Sequence, residues 1–187
     1  MNTGDIILYK MADRPTKWWL LDKVITSFTH SPWVHVGIIL KDQKWLGLRG
    51  TYLLESAWTN IPDATDGKKK FGVQIVPFYE RIKPGETYYR QYTGDPIDTK
   101  SLEIAYNFTK NKPYDVYPYD WVEAYLGTDT DPQKSNRFWC SALVACVLTK
   151  IGVLEEDTDW SIVTPEFFGD EVVPSYGPVK FLKNLEL

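Results

Sequence analysis

The segment RFWCSALVACVL, residues 137–148, holds both cysteines of the chain, Cys140 and Cys146. Its apolar spacing predicts a helix, and Cys140 falls in the first turn of that helix. The unpaired N–H groups and the positive end of the dipole at a helix N-terminus favour a thiolate, and those N–H groups can also donate to the oxyanion of an attacked carbonyl. Cys140 is therefore either a nucleophile or a small core residue, whereas Cys146, within the apolar run, is predicted to be an inert hydrophobic side chain.

A cysteine nucleophile needs a base within hydrogen-bond reach, and the chain has two histidines, His30 and His35. His30 ends a helix predicted at 15–31, and it is predicted to be a helix-terminal polar residue because a cation there favours the dipole. His35 lies in a predicted strand, where alternation places it on one face with Gly37 and Ile39. It is either a core histidine with satisfied hydrogen bonds or the base of an active site.

Glu55 is a carboxylate inside the apolar strand YLLESA, on the face that Leu53 and Ala57 share. Burying it is costly unless it is paired or hydrogen-bonded. An imidazole on a neighbouring strand would be a suitable partner, because cross-strand neighbours approach to about 5 Å at Cβ. Glu55 therefore either meets His35 or lies on an edge strand and faces water.

Five predicted strands surround one predicted helix in the first part of the chain, and helices dominate the second part. Pro77 indicates an edge or a bulge in the fourth strand, and Asp98 or Thr99 caps the helix that follows the fifth. VTPEFF predicts a further helix start with Thr164 as cap and Pro165 at the first position. The tail GPVKFLKNLEL is either a docking strand or a loose end. This order predicts an α+β fold, in which an antiparallel sheet of about five strands packs against a helical cluster that carries Cys140. The predicted strands are 5–10, 34–40, 51–58, 72–80 and 87–92, and the predicted helices are 15–31, 98–111, a short one ending at Gly127, and 138–150.

The composition predicts one domain over residues 1–187. Hydrophobic residues make up 43% of the chain and aromatic residues 15%, which is enough for a core. The net charge of −4 argues against a nucleic-acid partner, and the one basic run, KKK at 68–70, is predicted to be a solvated loop. No apolar run reaches the length of a transmembrane helix, and MNTGDIILYK lacks the apolar stretch of a signal peptide. Together with the absence of a disulfide framework, this predicts a cytoplasmic protein.

Other kinds of active site find little support in the sequence. Two histidines and two cysteines without tight spacing do not predict a zinc site. There is no glycine-rich phosphate loop and no GxSxG motif, so we expect no metal and no cofactor.

Six segments occur in the order found in the permuted NlpC/P60 hydrolases, which are papain-like proteins whose histidine-bearing strands precede the cysteine-bearing helix. Together they run from about residue 3 to about residue 168, and the chain most resembles the YiiX-like branch. The segments are TGDIILYK, SPWVHVGIIL, LLESAW, NKPYDVYPYDW, RFWCSALVACVL and VTPEFF.

The resemblance implies a catalytic triad. Cys140 in WCSALV matches the family's nucleophile, His35 in HVGI matches its general base, and Glu55 in LLES matches the acidic residue that orients the histidine. Tyr114 in KPYD matches a tyrosine that assists the oxyanion in many relatives, with Tyr117 and Tyr119 close by in sequence.

The expected activity is that of a cysteine amidase or peptidase acting on a small peptide, isopeptide or cell-wall-type amide. A first alternative is a lipid acyltransferase or thioesterase of the lecithin retinol acyltransferase type, since the many tryptophans could line an acyl groove. Those relatives carry Asn-Cys-Glu-His at the nucleophile where this chain has WCSA, which favours the amidase. A second alternative is a non-catalytic binding or virion protein on the same fold, which would be virion- or host-cell-associated. The intact Cys140, His35 and Glu55 argue against it.

Overall fold

The frame of the protein is an antiparallel β-sheet. The computed structural model describes residues 1–11, 31–115, 136–169 and 185–187. Within them the sheet has six strands in the order β4-β3-β2-β1-β5-β6, and every neighbouring pair is antiparallel. The strands are β1 (Ile6–Lys10), β2 (Trp33–Lys41), β3 (Thr51–Trp58), β4 (Phe71–Pro77), β5 (Thr87–Arg90) and β6 (Leu185–Glu186).

The five strands predicted from the sequence are confirmed, with changes at their ends. β4 ends at Pro77, and Phe78–Arg81 forms a 3₁₀ helix where the sequence predicted more strand. Proline has no N–H for a ladder hydrogen bond, which explains the break. β4 lies at one edge of the described sheet, as Pro77 indicated. Two alternatives were open for the C-terminal tail, and its described end, Leu185–Glu186, pairs as β6 with β5, as the docking-strand alternative predicted.

Two α-helices are described, and both follow the sheet strands β1–β5 in sequence. α1 spans Thr99–Thr109 and begins where Asp98 accepts a hydrogen bond of 2.8 Å from the backbone N–H of Ser101. α2 spans Cys140–Lys150. Phe138 precedes it in a backbone bridge rather than in the helix, so α2 begins two residues later than predicted, at Cys140 itself.

Short 3₁₀ helices complete the described chain. VTPEFF, predicted as a helix start, forms one at Pro165–Phe168, with Thr164 before it and Pro165 at its first position. Two more lie at Lys44–Leu46 and Trp160–Ile162. The helices predicted at 15–31 and in the segment ending at Gly127 lie outside the described residues.

The sheet has a buried layer on each face. On one face β1 to β4 pack against α1 and α2, with Val36, Ile38 and Leu54 among the buried strand residues. The other face carries a smaller cluster of Ile7, Tyr9, Ile39, Leu53, Val76 and Phe78. This is an α+β arrangement, as predicted. In the part of the chain that the structure describes, no helix has the length and apolar character needed to cross a membrane.

A bulge disturbs the start of β2. Tyr9 pairs with His35, but the next residue, Lys10, pairs with Trp33, so Val34 has no partner in β1. Such an extra residue bends the strand and changes where its side chains point. Trp33 and Val36 consequently lie in the same helix-side core. His35, which pairs with Tyr9, is located directly beside this bulge.

Candidate active site

Cys140 lies near enough to His35 to raise the pKa of its ring. α2 begins at Cys140, with Trp139 as the residue that precedes its first turn. The Cys140 residue is 3% exposed and the His35 side chain is 16% exposed. Burial disfavours a charged imidazole, but the charge and hydrogen bonding of Cys140, together with those of Glu55, outweigh burial and raise the pKa of His35 to about 9.

Glu55 lies on the other side of the same ring. Its Oε2 is 2.6 Å from His35 Nε2, and its side chain is fully buried. The predicted meeting of these two side chains is therefore confirmed. The edge-strand alternative is wrong, because β3 lies between β4 and β2. With Glu55 charged, Nε2 is the donor, which leaves Nδ1 as the ring nitrogen available to Cys140.

Arg81 holds Glu55 from behind, and the sequence analysis missed it. Its Nη2 donates a hydrogen bond of 2.9 Å to Glu55 Oε2, and its Nε lies 2.8 Å from Oε1 without forming a hydrogen bond of its own. Burial works against the ionised carboxylate, but Arg81 and His35 outweigh it and lower the pKa of Glu55 to about 2. The sequence offered one weak signal for Arg81, its position just after the strand that pairs with β3.

Tyr9 packs against this group from β1. Its ring centroid is 5.3 Å from that of His35, and the Arg81 guanidinium lies 5.5 Å from the Tyr9 centroid. The Tyr9 residue is 4% exposed, and its hydroxyl has no hydrogen-bond partner among the residues that the structure describes. Burial, reinforced by the charge of Glu55, raises the pKa of Tyr9 well above its ordinary value, so the ring stays neutral. Gln74 on β4 adds a long contact of 3.5 Å from Nε2 to Glu55 Oε1.

Hydrogen bonds on both sides fix the start of α2. Ser56 on β3, the residue after Glu55, donates its hydroxyl to the Phe138 carbonyl at 2.6 Å. The Phe138 N–H donates in turn to the Pro113 carbonyl at 3.1 Å. The strand that carries Glu55 is thus tied to the residues just before Cys140.

A second anchor comes from Val163. Its carbonyl accepts a hydrogen bond of 2.6 Å from the Ser141 hydroxyl and one of 3.2 Å from Trp139 Nε1. Because Trp139 and Ser141 flank Cys140, these two bonds hold the cysteine between them. VTPEFF, one of the six family-like segments, therefore lies against the start of α2.

Tyr114, predicted to assist an oxyanion, lies beside the segment that leads to Cys140. It forms a backbone bridge with Phe138, and its half-buried ring stacks on Phe71 with centroids 5.1 Å apart and planes 8° from parallel. No contact between its hydroxyl and Cys140 is among its described interactions, so that role stays a prediction. His30, Tyr117 and Tyr119 lie outside the described residues.

Cys146 differs from Cys140 as expected. It is fully buried and has no disulfide partner, and burial raises the pKa of its thiol to about 12. Among the described residues, no group of three or more His, Cys, Asp and Glu side chains could hold a metal ion.

Comparison with known proteins adds no family to this geometry. A scan of the sequence against protein-family models finds no match, and a search of curated proteins likewise finds no significant match. What the site does is therefore inferred from its own residues.

Proposed function

We propose that the protein is a cysteine-dependent hydrolase, of the amidase or peptidase type, that forms an acyl-enzyme on Cys140. One observation carries the proposal: His35 Nε2 lies 2.6 Å from the buried carboxylate of Glu55, and Cys140 lies near enough to the same ring to raise its pKa. A nucleophile, a base and a group that orients the base are the three parts that covalent acyl transfer needs.

The raised pKa of His35 determines how the nucleophile is activated. With a pKa of about 9, the imidazole is protonated at neutral pH and can stabilise a thiolate on Cys140. The reactive form is then a thiolate beside an imidazolium. Glu55 stabilises that positive charge and holds the ring in place.

The chemistry follows in two steps. The Cys140 thiolate attacks the carbonyl carbon, and the N–H groups in the first turn of α2 donate to the oxyanion that develops. His35 gives its proton to the leaving amine, the C–N bond breaks, and a thioester remains on Cys140. Water then attacks the thioester as His35 takes one of its protons, which releases the carboxylic acid and restores the thiol pair.

The proposal includes the fold family and the oxyanion role of Tyr114. His35 and Glu55 come early in the chain, on adjacent strands, and Cys140 comes late, at a helix start. This is the chain order of the permuted NlpC/P60 proteins that the sequence resembles. The observation that supports an oxyanion role for Tyr114 is its backbone bridge to Phe138, two residues before Cys140.

An exposed aromatic cluster favours the alternative lipid-directed activity as a second candidate. Trp58 and Phe71 are 55% and 39% exposed, with ring centroids 5.4 Å apart, and Phe71 stacks on Tyr114. Such a surface, connected through Tyr114 to Phe138 in the segment before Cys140, would suit an acyl chain. The same three rings would equally suit an apolar side chain of a peptide, so the cluster does not displace the amidase proposal.

Alkylation of the two cysteines tests for an activated nucleophile. At about pH 6, iodoacetamide should modify Cys140 at least about tenfold faster than Cys146, because only a thiolate reacts. His35→Ala should slow the reaction at Cys140 and leave Cys146 unchanged. Slow and equal labelling of both residues, followed by mass spectrometry, would contradict the proposal.

The acyl group trapped on Cys140 separates the two activities. The full-length protein would be incubated in parallel with short γ-linked peptides and with phospholipid vesicles, and the adduct identified by mass spectrometry, with Cys140→Ala as the control. A peptidyl adduct is the expected result. A fatty-acyl adduct would instead establish the lipid enzyme.

A further inference from the structure

We infer that Arg81 is a positioning residue of this site, which clamps the Glu55 carboxylate in the orientation that meets the His35 ring. The inference rests on the proposed function and adds a fourth side chain to it. Arg81 would act on the reaction through Glu55 and His35, without touching substrate.

The contact has the geometry of a two-point clamp. Two nitrogens of Arg81 face the two oxygens of Glu55: Nη2 donates a hydrogen bond of 2.9 Å to Oε2, and Nε lies 2.8 Å from Oε1 as an ion-pair contact without a hydrogen bond. A guanidinium that meets both oxygens fixes the plane of the carboxylate as well as its distance. Glu55 Oε2 receives both Arg81 Nη2 and His35 Nε2, so the plane that Arg81 sets also determines where the ring must lie.

The local structure explains why Arg81 is located here. β4 stops at Pro77, and the 3₁₀ helix Phe78–Arg81 turns back toward β3. Phe78, 4% exposed, inserts into the buried cluster of that face and anchors the turn. Tyr9 then covers the guanidinium at 5.5 Å, an arrangement in which an arginine stacks on an aromatic face. The Arg81 side chain is left 17% exposed.

The charges around Glu55 show what the clamp does for the chemistry. Glu55 faces His35 from β2, Arg81 from the 3₁₀ helix, neutral Gln74 from β4 and neutral Tyr9 from β1, and Cys140 lies beyond the ring. Arg81 is the first of the two partners that keep the carboxylate charged in spite of its burial. Without Arg81, Glu55 would take up a proton at a higher pH, and His35 would lose the negative charge that helps to stabilise its imidazolium.

Lys70 offers a matched control, because it lies directly before the edge strand β4 and Arg81 ends the 3₁₀ helix directly after it. Its side chain is 15% exposed and pairs at 2.9 Å with Asp63, a buried carboxylate, much as Arg81 pairs with Glu55. Nothing in that pair contacts His35 or Cys140. A general loss of stability from removing a half-buried cation should therefore appear in both variants, and an effect on the thiol in one.

The test measures the rate at which iodoacetamide modifies Cys140 across a range of pH, in the full-length wild type and in Arg81→Met, Arg81→Lys and Lys70→Met. Arg81→Met should slow the reaction at about pH 6 by about tenfold to hundredfold, the loss expected for one hydrogen bond to a charged group. In this variant, the fall of the Cys140 alkylation rate in acid should begin at a pH higher by about one to three units. Arg81→Lys keeps the charge but not the two-point contact, so it should show a smaller shift, and Lys70→Met should match the wild type.

The outcomes separate this inference from the proposed function. If wild-type Cys140 reacts no faster than Cys146, the proposed function fails. If wild-type Cys140 is fast and Arg81→Met has the wild-type profile, the role of Arg81 is overturned while the function stands. An equal shift in Lys70→Met would also overturn it. Circular dichroism establishes folding, and if Arg81→Met does not fold, a wild-type profile in Arg81→Lys decides against the inference.

Discussion

Two buried carboxylates of this protein are neutralised in different ways. Asp63, in the loop between β3 and β4, accepts hydrogen bonds from the backbone N–H groups of Thr65 at 2.7 Å and Ile75 at 3.1 Å, and from the Thr65 hydroxyl. Lys70 completes its partners at 2.9 Å. Within the described residues, the hydrogen bonds to the Glu55 carboxylate come from side chains, the ring of His35 and the guanidinium of Arg81 among them.

This difference in hydrogen-bond donors distinguishes Asp63, which anchors a loop, from Glu55, which belongs to the candidate site. Backbone donors are fixed by the local chain, so Asp63 organises the loop that contains it. Side-chain donors must be delivered by separate elements, and His35 and Arg81 come from β2 and from the 3₁₀ helix after β4. One of them is an imidazole with a pKa of about 9, which gives up its proton more readily than Lys70, whose pKa is raised above the ordinary lysine value by its hydrogen bonds and ion pairs with Asp63 and Asp66. A buried carboxylate that orients an imidazole is what a proton-transfer site requires.

Neutralising each carboxylate should separate the two regions most strongly. Glu55→Gln leaves Arg81 half-buried without an ionic partner, so we expect a loss of about 3–5 kcal/mol in the free energy of unfolding. Asp63→Asn should cost less, because Lys70 keeps Asp66 at 3.1 Å. In the folded protein, only Glu55→Gln should slow the alkylation of Cys140. Urea denaturation at pH 7 and labelling of the same samples would measure both quantities.

The pH dependence of that stability difference provides the control. The pKa of Glu55 is depressed to about 2 in the folded protein, so its contribution is present above the ordinary carboxyl pKa of about 4.5 and is lost as the pH falls through about 2. The gap between wild type and Glu55→Gln should therefore narrow in acid. A gap that is constant from neutral pH to about pH 2 would contradict the assignment.

The titration of His35 is the next largest effect. Its imidazole protons should titrate in the NMR spectrum with a midpoint of about 9, and His30→Gln removes the other histidine of the chain from the spectrum. Cys140→Ala should lower this midpoint, because the Cys140 sulfur contributes most to raising the pKa against the effect of burial. Glu55→Gln should lower it as well, whereas Asp63→Asn should leave it unchanged.

The raised pKa of His35 also makes the stability of the protein depend on pH. A group whose pKa is raised on folding contributes stability that is complete below its unfolded pKa, about 6.5 for histidine, and that is lost as the pH rises through about 9. Thermal unfolding of the wild type should therefore become easier over that range, relative to His35→Gln. The same slope in both proteins would show that another group is responsible.

Much of this site could be predicted from the sequence, because its three main residues lie in strongly patterned segments. Alternation within β2 and β3 indicated a shared face for His35 and Glu55, and the apolar spacing of α2 located Cys140 near its start. Composition could not show which strands are neighbours. That is why Glu55 on an edge strand remained an alternative until the order β4-β3-β2 was known.

Arg81 and Lys70 were beyond such patterns for a different reason. Arg81 belongs to a 3₁₀ helix whose first residues were predicted to continue the strand. Its role depends on how Phe78 packs in the smaller buried cluster, with Tyr9 and Leu53. Lys70 ends a basic run that was predicted to be solvated, yet it is half-buried between Asp63 and Asp66, while Lys68 and Lys69 are exposed as predicted. Long charged side chains find partners through tertiary packing, and periodicity does not record that packing.

A smaller effect should come from the hydroxyl that ties Glu55's strand to the start of α2. Ser56→Ala removes the 2.6 Å hydrogen bond to the buried Phe138 carbonyl, which keeps one further partner, the Asp115 N–H at 3.2 Å. We expect a loss of about 1 kcal/mol in the free energy of unfolding. Because Cys140 lies two residues beyond Phe138, its alkylation should also slow by a few-fold. Urea denaturation and labelling would measure both, and a normal labelling rate would show that the Val163 anchor suffices alone.

The smallest expected change affects stability without affecting the site. Asp98 caps α1 by accepting from the Ser101 N–H at 2.8 Å, and it is exposed, so Asp98→Ala should lower the free energy of unfolding only slightly. Ser56→Ala also lowers stability, but Ser56 lies next to Glu55. If labelling of Cys140 slows equally in both variants, the reactivity of the thiol follows overall stability. If it slows in Ser56→Ala alone, the reactivity of Cys140 depends on the connection between β3 and α2, because only that variant disturbs the strand that carries Glu55.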